Sequence, residues 1–227
     1  MASDCRLILL PGLGADARLL DPQRAVFPRL EVPPWLPHEP GETLPHYAQR
    51  MAATVAPSEH FYLGGVSFGG MVALEMAVQL RPQAVFLVAS CRTGRAIAPH
   101  LRYFGRFASI LPERTFAAAA ALSPLFLSKF GRLTAAQEAL FKEMLADVEP
   151  DFVRWGIDAI TSWEGNPALD MPVYQIHGGD DQLIPAKSVP ADRVVPGGGH
   201  LLNVTHREEV NTFIAERLGG YGPVVAA

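Results

Sequence analysis

The feature that most restricts how this chain can fold is a pentapeptide, Gly65-Val66-Ser67-Phe68-Gly69, placed between an apolar strand candidate and an apolar helix candidate. Residues 60–63 form the strand candidate, and residues 71–80 form the helix candidate, which ends before Pro82. A strand that becomes a helix within about one residue crowds the positions two before and two after the central serine, so both must lack bulk. The pattern therefore predicts a strained G-x-S-x-G turn that lifts the Ser67 hydroxyl clear of a sheet.

Composition indicates one domain with an ordinary surface. The chain has 227 residues, of which 49% are apolar and 19% are charged, and this is ample for a single large core. The net charge is -4 and no Lys/Arg run occurs. We therefore expect neither a nucleic-acid partner nor an anionic membrane partner.

The two cysteines and the first apolar run indicate a reduced compartment. Cys5 and Cys91 match neither a disulfide framework nor a metal-ligand spacing. The apolar run at residues 7–10 lacks a basic leader and is far too short for a signal or a membrane span. We expect a cytoplasmic protein with no membrane span and no bound metal.

Alternating apolar runs and helix-like stretches predict an α/β fold. The runs that read as buried parallel strands are bounded by Gly, Pro or polar clusters and occupy residues 7–10, 61–63, 84–89 and 173–176. Two weaker strand candidates, 30–32 and 193–195, would extend the sheet, while 44–55 and 206–218 read as covering helices. The alternation predicts a doubly wound, mostly parallel sheet of about six strands flanked by helices.

Residues 94–165 interrupt this alternation. Four helix-like segments follow one another there, at about 98–110, 113–122, 134–147 and 151–163. We therefore expect a core formed by residues 1–93 and 166–227, with 94–165 inserted as a helical cap. The first half of the insertion is rich in large apolar residues, which are Tyr103, Phe104, Phe107, Phe116, Leu122, Leu125 and Phe126. Most of them would bury the cap's own apolar face, and the remainder could line an acyl pocket beneath the cap.

A serine hydroxyl becomes a good nucleophile only when a base takes its proton and a carboxylate orients that base. Of the seven histidines, only His200 follows a glycine-rich turn, at residues 196–199, between a strand candidate and a terminal helix. A loop of this kind can aim a side chain over the edge of a sheet. Two carboxylates, Asp180 and Asp181, compete for the third position because both follow the apolar run at residues 173–176.

At this point the chain resembles the α/β-hydrolase fold family, in which a late strand is followed by a glycine, an aspartate three residues on and a proline four after that. Gly178, Asp181 and Pro185 match this spacing. The resemblance selects Asp181 as the acid and keeps Asp180 as the second choice. The order serine, acid, histidine is also the one that the family uses.

The resemblance further implies two backbone amides that bind the negative charge developing on a carbonyl oxygen. One is the amide of Phe68, directly after the nucleophile, and the other is the amide of Leu13, in the loop after the first strand. The family has His-Gly in that loop, and this chain has Pro11 in place of the histidine. The resemblance covers nearly the whole chain, which begins at what corresponds to the third family strand, so we expect the usual first hairpin to be absent.

These observations predict a serine hydrolase of the carboxylesterase or thioesterase type, which acts on small to medium esters or thioesters without a cofactor. Two alternatives share the fold. One is a lyase for C-C bonds or hydroxynitriles, which a basic residue in the pocket would favour, with Arg92, Arg95 and Arg102 as candidates. The other is a low-turnover ligand receptor that uses its cap as a switch.

Overall fold

A computed structural model of the chain describes residues 5–56, 60–99, 130–165 and 168–218. The predicted helix at 113–122, nearly all of the one at about 98–110, the apolar residues named as pocket candidates in the first half of the insertion, and Arg102 all lie outside these residues.

Within these four ranges six strands form one parallel sheet, as the pattern of apolar runs predicted. They are β1 (Arg6–Leu10), β2 (Leu30–Glu31), β3 (Phe61–Val66), β4 (Val85–Val88), β5 (Val173–Gly178) and β6 (Arg193–Val195). Their order across the sheet is β2-β1-β3-β4-β5-β6, and every neighbouring pair is parallel. The expectation of a doubly wound α/β sheet is therefore confirmed.

Helices cover both faces of this sheet, which explains why its two middle strands, β3 and β4, carry no charged side chain and are fully buried. In the part of the chain that the structure describes, the α-helices are α1 (Asp21–Arg24), α2 (Leu44–Ala53), α3 (Phe68–Leu80), α4 (Ala135–Asp147), α5 (Pro150–Ser162), α6 (Leu202–Thr205) and α7 (Arg207–Leu218). Alternate residues of β1 join different clusters: Ile8 and Leu10 pack with α2, α3 and α5, while Leu7 and Leu9 pack with α4, α6 and α7. Each face thus has its own apolar layer.

The direction of the connections reverses between β1 and β3. The chain leaves β1 toward β2 on one side of the sheet and leaves β3 toward β4 on the other side. Leu10 at the end of β1 pairs with Gly65 near the end of β3, so the loops that follow the two strands begin close together. In open α/β sheets ligands bind at such a switch point, outside the carboxyl ends of the strands.

Two helices from the segment 94–165, α4 and α5, pack against the rest of the molecule. The α5 residues Phe152 and Trp155 are buried in the same cluster as α2 and α3. A Cβ added to Gly156 of α5 would lie 2.4 Å from Leu13 Cδ1, which places this helix directly against the loop after β1. The division of the chain into a core and a cap stays a prediction.

No helix of the described residues combines the length and apolar character needed to cross a membrane.

Candidate active site

The turn at Ser67 joins β3 to α3 with the strained geometry expected of G-x-S-x-G. Ser67 has φ 53° and ψ -119°, a backbone conformation that residues other than glycine rarely adopt. A Cβ on Gly65 would lie 2.3 Å from the carbonyl carbon of Gly69, and a Cβ on Gly69 would lie 2.2 Å from Pro11 O. Both glycines are therefore required, because backbone occupies the space that any side chain would need.

Ser67, His200 and Asp181 are hydrogen bonded in series. The distance from Ser67 Oγ to His200 Nε2 is 2.7 Å, and the distance from His200 Nδ1 to Asp181 Oδ2 is also 2.7 Å. Since an ionised carboxylate only accepts hydrogen bonds, the proton of the neutral imidazole lies on Nδ1. Nε2 is then the ring nitrogen with a free lone pair, and it accepts the hydroxyl hydrogen of Ser67.

Close backbone packing fixes the loop that carries His200. This loop follows β6, and a Cβ on Gly199 would lie 2.5 Å from Gly131 Cα. The amide of Leu201 donates to Phe130 O at 3.0 Å, and the Phe130 ring meets the imidazole edge-on at a centroid distance of 5.8 Å. His200 is only 3% exposed, so its tautomer is governed by protein contacts more than by bulk water.

Four N–H groups surround the buried carboxylate of Asp181. Its Oδ1 accepts from the amides of Leu183 at 2.8 Å and Ile184 at 2.9 Å. Its Oδ2 accepts from His200 and lies 3.2 Å from His177 Nε2. Burial, the strongest influence, would raise the pKa of this carboxyl, but attraction to His200 and the hydrogen bonds from His177, His200 and Ile184 hold the pKa below its usual range. Asp181 is therefore ionised at neutral pH.

The structure separates the two carboxylates that competed in the sequence. Asp180 is exposed, and its amide donates to Gly198 O at 2.8 Å. Asp181 is 5% exposed and is the one that contacts His200. The spacing from Gly178 thus selected the carboxylate that lies beside the imidazole.

The amides of Leu13 and Phe68 lie on the two loops that border Ser67. A Cβ on Gly12 would lie 3.8 Å from Ser67 Cβ, so the loop after β1 passes directly beside the serine. Phe68 is the first residue of the 13-residue helix α3, where the helix dipole is positive. Within the described part of the chain neither amide donates to a carbonyl or a side chain. Whether these amides bind a substrate oxygen stays a prediction.

Arg92 and Arg95, the two described arginines considered for an anionic substrate, do not contact these residues. Arg92 Nη2 donates to Val173 O at 2.8 Å, and Arg95 is exposed. Among the described residues, one cluster has the spacing of metal ligands: Glu39, Glu42 and His46. Glu42 already accepts hydrogen bonds from Arg50 at 2.9 and 3.1 Å, so its charge is compensated without an ion.

Sequence reasoning missed two side chains that contact this site. His177 Nε2 lies 2.7 Å from Ile184 O and 3.2 Å from Asp181 Oδ2, and because both partners are acceptors, Nε2 must be the donor. Ser90 Oγ donates to Ser67 O at 2.6 Å. The signal that could have revealed them is position alone, since His177 is at the end of β5 and Ser90 comes two residues after β4, at the same edge of the sheet as Ser67.

Comparisons with known proteins agree with this architecture. A profile described as that of the alpha/beta hydrolase family matches residues 3–213. A Klebsiella pneumoniae protein named "Putative carbamate hydrolase RutD" is 28% identical over 204 residues, which cover 76% of this chain and 71% of that protein. Among solved structures, an esterase from Thermogutta terrifontis with malate bound has a TM-score of 0.76 at 19% identity and covers 95% of this chain and 90% of its own. MenH from S. aureus has a TM-score of 0.72 at 15% identity, with coverages of 93% and 92%.

Proposed function

Because the chain belongs to the alpha/beta hydrolase family, we propose that it is a serine hydrolase that cleaves a carboxylic ester or thioester through a covalent acyl-enzyme. The observation that carries the proposal is the hydrogen-bonded series Ser67 Oγ, His200 Nε2, His200 Nδ1 and Asp181 Oδ2. A serine with a buried imidazole and a buried carboxylate in this order has the parts needed for nucleophilic catalysis.

In the proposed reaction, Ser67 Oγ attacks the carbonyl carbon while His200 Nε2 takes the hydroxyl proton. Asp181 holds His200 in the Nδ1-protonated tautomer and stabilises the imidazolium that forms. The amides of Leu13 and Phe68 bind the oxyanion. The tetrahedral intermediate then loses the alcohol or thiol, which receives the proton from His200, and an ester bond to Ser67 remains.

Deacylation repeats the same steps with water as the nucleophile. His200 takes a proton from water, the hydroxide attacks the acyl carbon, and the intermediate releases the acid as the proton returns to Ser67 Oγ. Every proton in the two half-reactions is accounted for by Ser67, His200, water and the leaving group, so the proposed steps balance with these groups and the two backbone amides.

The names of the similar proteins support the hydrolytic class and suggest which acyl compounds to test. The Klebsiella protein is named as a carbamate hydrolase and the Thermogutta structure is titled an esterase. Carbamates and esters both place a carbonyl carbon before the nucleophile. A substrate panel should therefore contain carbamates beside esters and thioesters.

The test compares wild type with Ser67→Ala on a chain-length series of p-nitrophenyl esters, acyl-CoA thioesters and p-nitrophenyl carbamates. The proposal expects turnover by wild type that the variant loses, together with fluorophosphonate labelling at Ser67 and nowhere else. Equal turnover by the two proteins would contradict the role of Ser67. Labelling without turnover on any substrate would favour the lyase or the receptor. The cytoplasmic location and the absence of nucleic-acid partners stay predictions.

A further inference from the structure

A buried hydroxyl contacts the carbonyl group beside the nucleophile. Ser90 Oγ donates to Ser67 O at 2.6 Å, toward the short end of the range for O–H···O hydrogen bonds. Ser90 is 0% exposed, so no bulk water competes for this bond. The mechanism proposed above does not use Ser90.

The importance of this bond lies in which peptide group receives it. The carbonyl of Ser67 and the amide N–H of Phe68 belong to the same peptide unit. The described part of the chain has no cis peptide bond, so in this unit the C=O and the N–H point in opposite directions. A donor that fixes the carbonyl on one side therefore fixes the direction of the N–H on the other side. Hydrogen bonds in a chain also polarise one another, so a donor on the oxygen strengthens the N–H as a donor.

The surrounding structure holds Ser90 firmly in place. Ala89, the residue before it, has φ 46°, a left-handed conformation that is costly for alanine. Gln175 Nε2 donates to Ser90 O at 2.9 Å. A Cβ on Gly70 would lie 2.5 Å from Ser90 Oγ, so the glycine leaves the room that the hydroxyl occupies. Backbone strain of this kind persists only where neighbouring groups determine the geometry.

We propose that Ser90 is a positioning residue for the oxyanion site: its hydroxyl orients and polarises the Ser67–Phe68 peptide, so that the Phe68 N–H binds the developing negative charge. This inference rests on the proposed function. The inference extends the proposed function because it makes the strength of one oxyanion donor depend on a side chain at the end of a different strand.

The first turn of α3 should remain folded without the Ser90 hydroxyl, and this makes the inference testable. Ser67 O also accepts hydrogen bonds from the amides of Gly70 at 3.0 Å and Met71 at 3.3 Å. These bonds keep the carbonyl satisfied in Ser90→Ala. The expected damage is therefore mainly to the donor strength of the Phe68 amide, with at most a small change in its direction, and not to the fold of α3.

The experiment compares wild type, Ser90→Ala and Thr54→Val. Thr54 is the matched control because its Oγ1 also donates to a backbone carbonyl, Met51 O at 2.7 Å, at the end of α2 and away from the site. For Ser90→Ala we expect kcat to fall about tenfold with little change in KM, since removing a whole oxyanion donor costs about 10²- to 10³-fold and this change only weakens one. The inhibition constant of an alkyl trifluoromethyl ketone, which mimics the tetrahedral intermediate, should rise by a similar factor. Thr54→Val should change neither quantity.

A vibrational readout separates this role from simple support of the fold. A slowly hydrolysed pivaloyl-enzyme, ¹³C-labelled at the carbonyl, has a stretching band whose frequency rises when its hydrogen bonds weaken. We expect this band at higher frequency in Ser90→Ala than in wild type. If the acyl-enzyme forms but the band and kcat are the same in both proteins, the inference is wrong while the proposed function stands. If wild type forms no acyl-enzyme, both are wrong.

Should Ser90→Ala fail to fold, Ser90→Cys keeps a side chain of similar shape and replaces the hydroxyl with a weaker donor. The same three readouts then apply, and an unchanged carbonyl band and kcat in Ser90→Cys would refute the inference.

Discussion

Replacing Asp181 with asparagine tests the proposed role of the buried carboxylate most directly. Oδ1 of Asp181 accepts hydrogen bonds from the backbone N–H groups of Leu183 and Ile184. In Asp181→Asn the side-chain oxygen of the asparagine is therefore expected to keep that position. The NH₂ group then occupies the Oδ2 position and faces His200 Nδ1. Because NH₂ only donates hydrogen bonds, Nδ1 must become an acceptor and the proton moves to Nε2. The imidazole can then no longer accept the proton of Ser67.

The size of the effect follows from this change of tautomer. Loss of the correct tautomer in a Ser-His-Asp arrangement lowers kcat by about 10⁴-fold, which corresponds to about 5 kcal/mol in the barrier. The assay is kcat on the best ester of the substrate panel near neutral pH, with the melting temperature measured to show that the variant is folded. KM should change little, since Asp181 is buried behind His200 and does not touch the substrate in the proposed mechanism.

The matched control is Asp180→Asn. It removes the same charge from the neighbouring residue, whose side chain is exposed. It should retain nearly full activity. If Asp181→Asn kept more than about a tenth of the wild-type kcat, or if Asp180→Asn lost as much as Asp181→Asn did, the tautomer argument would be refuted.

Backbone crowding, acid titration and thiol burial each lead to a further prediction. Gly69→Ala places a Cβ 2.2 Å from Pro11 O, so urea unfolding should show a free energy of unfolding lower by about 3 kcal/mol or more. Gly41→Ala is the control: Gly41 has φ 71° but no atom within 4 Å of the added Cβ, and the free energy of unfolding should fall by only about 1 kcal/mol. Because the pKa of Asp181 is lower in the folded state, this carboxylate stabilises the fold above about pH 4, and the contribution is lost as the pH falls, by at most about 1.4 kcal/mol per pH unit. In Asp181→Asn the free energy of unfolding should therefore fall less steeply with acidification than in wild type. Equal slopes for the two proteins would contradict the lowered pKa. Burial raises the pKa of Cys91 to about 12, so iodoacetamide should modify this thiol only after denaturation, as peptide mapping would show.

The sequence predicted the sheet well because its signals are local. Each apolar run corresponds to one strand, and β5 starts at Val173 as the pattern indicated. The helix after the turn was predicted from residue 71, whereas α3 begins at Phe68. The difference has a physical reason: Gly69 and Gly70 have low helix propensity, but close packing against Pro11 and Ser90 requires them in the first turn.

The site was only partly predictable for a related reason. Ser67 and His200 stand in turns with distinctive glycines, and Asp181 has a defined spacing from Gly178. His177 and Ser90 have no such pattern around them. Their contacts depend on the order β3-β4-β5 and on which way each side chain points, and neither can be obtained from residues that are far apart in the chain.

The order of the strands also determines when during folding His200 can reach Ser67. Ser67 and His200 are 133 residues apart, and His200 follows β6, the last strand of the sheet. A chain folds its early segments first during synthesis, and pairing between distant segments is slow because loop-closure entropy must be overcome. Until β6 docks, Ser67 remains an ordinary alcohol with no base beside it. Under the proposed function, a chain in which β6 has not docked cannot activate Ser67, and the return of hydrolytic activity during refolding would report the docking of this strand.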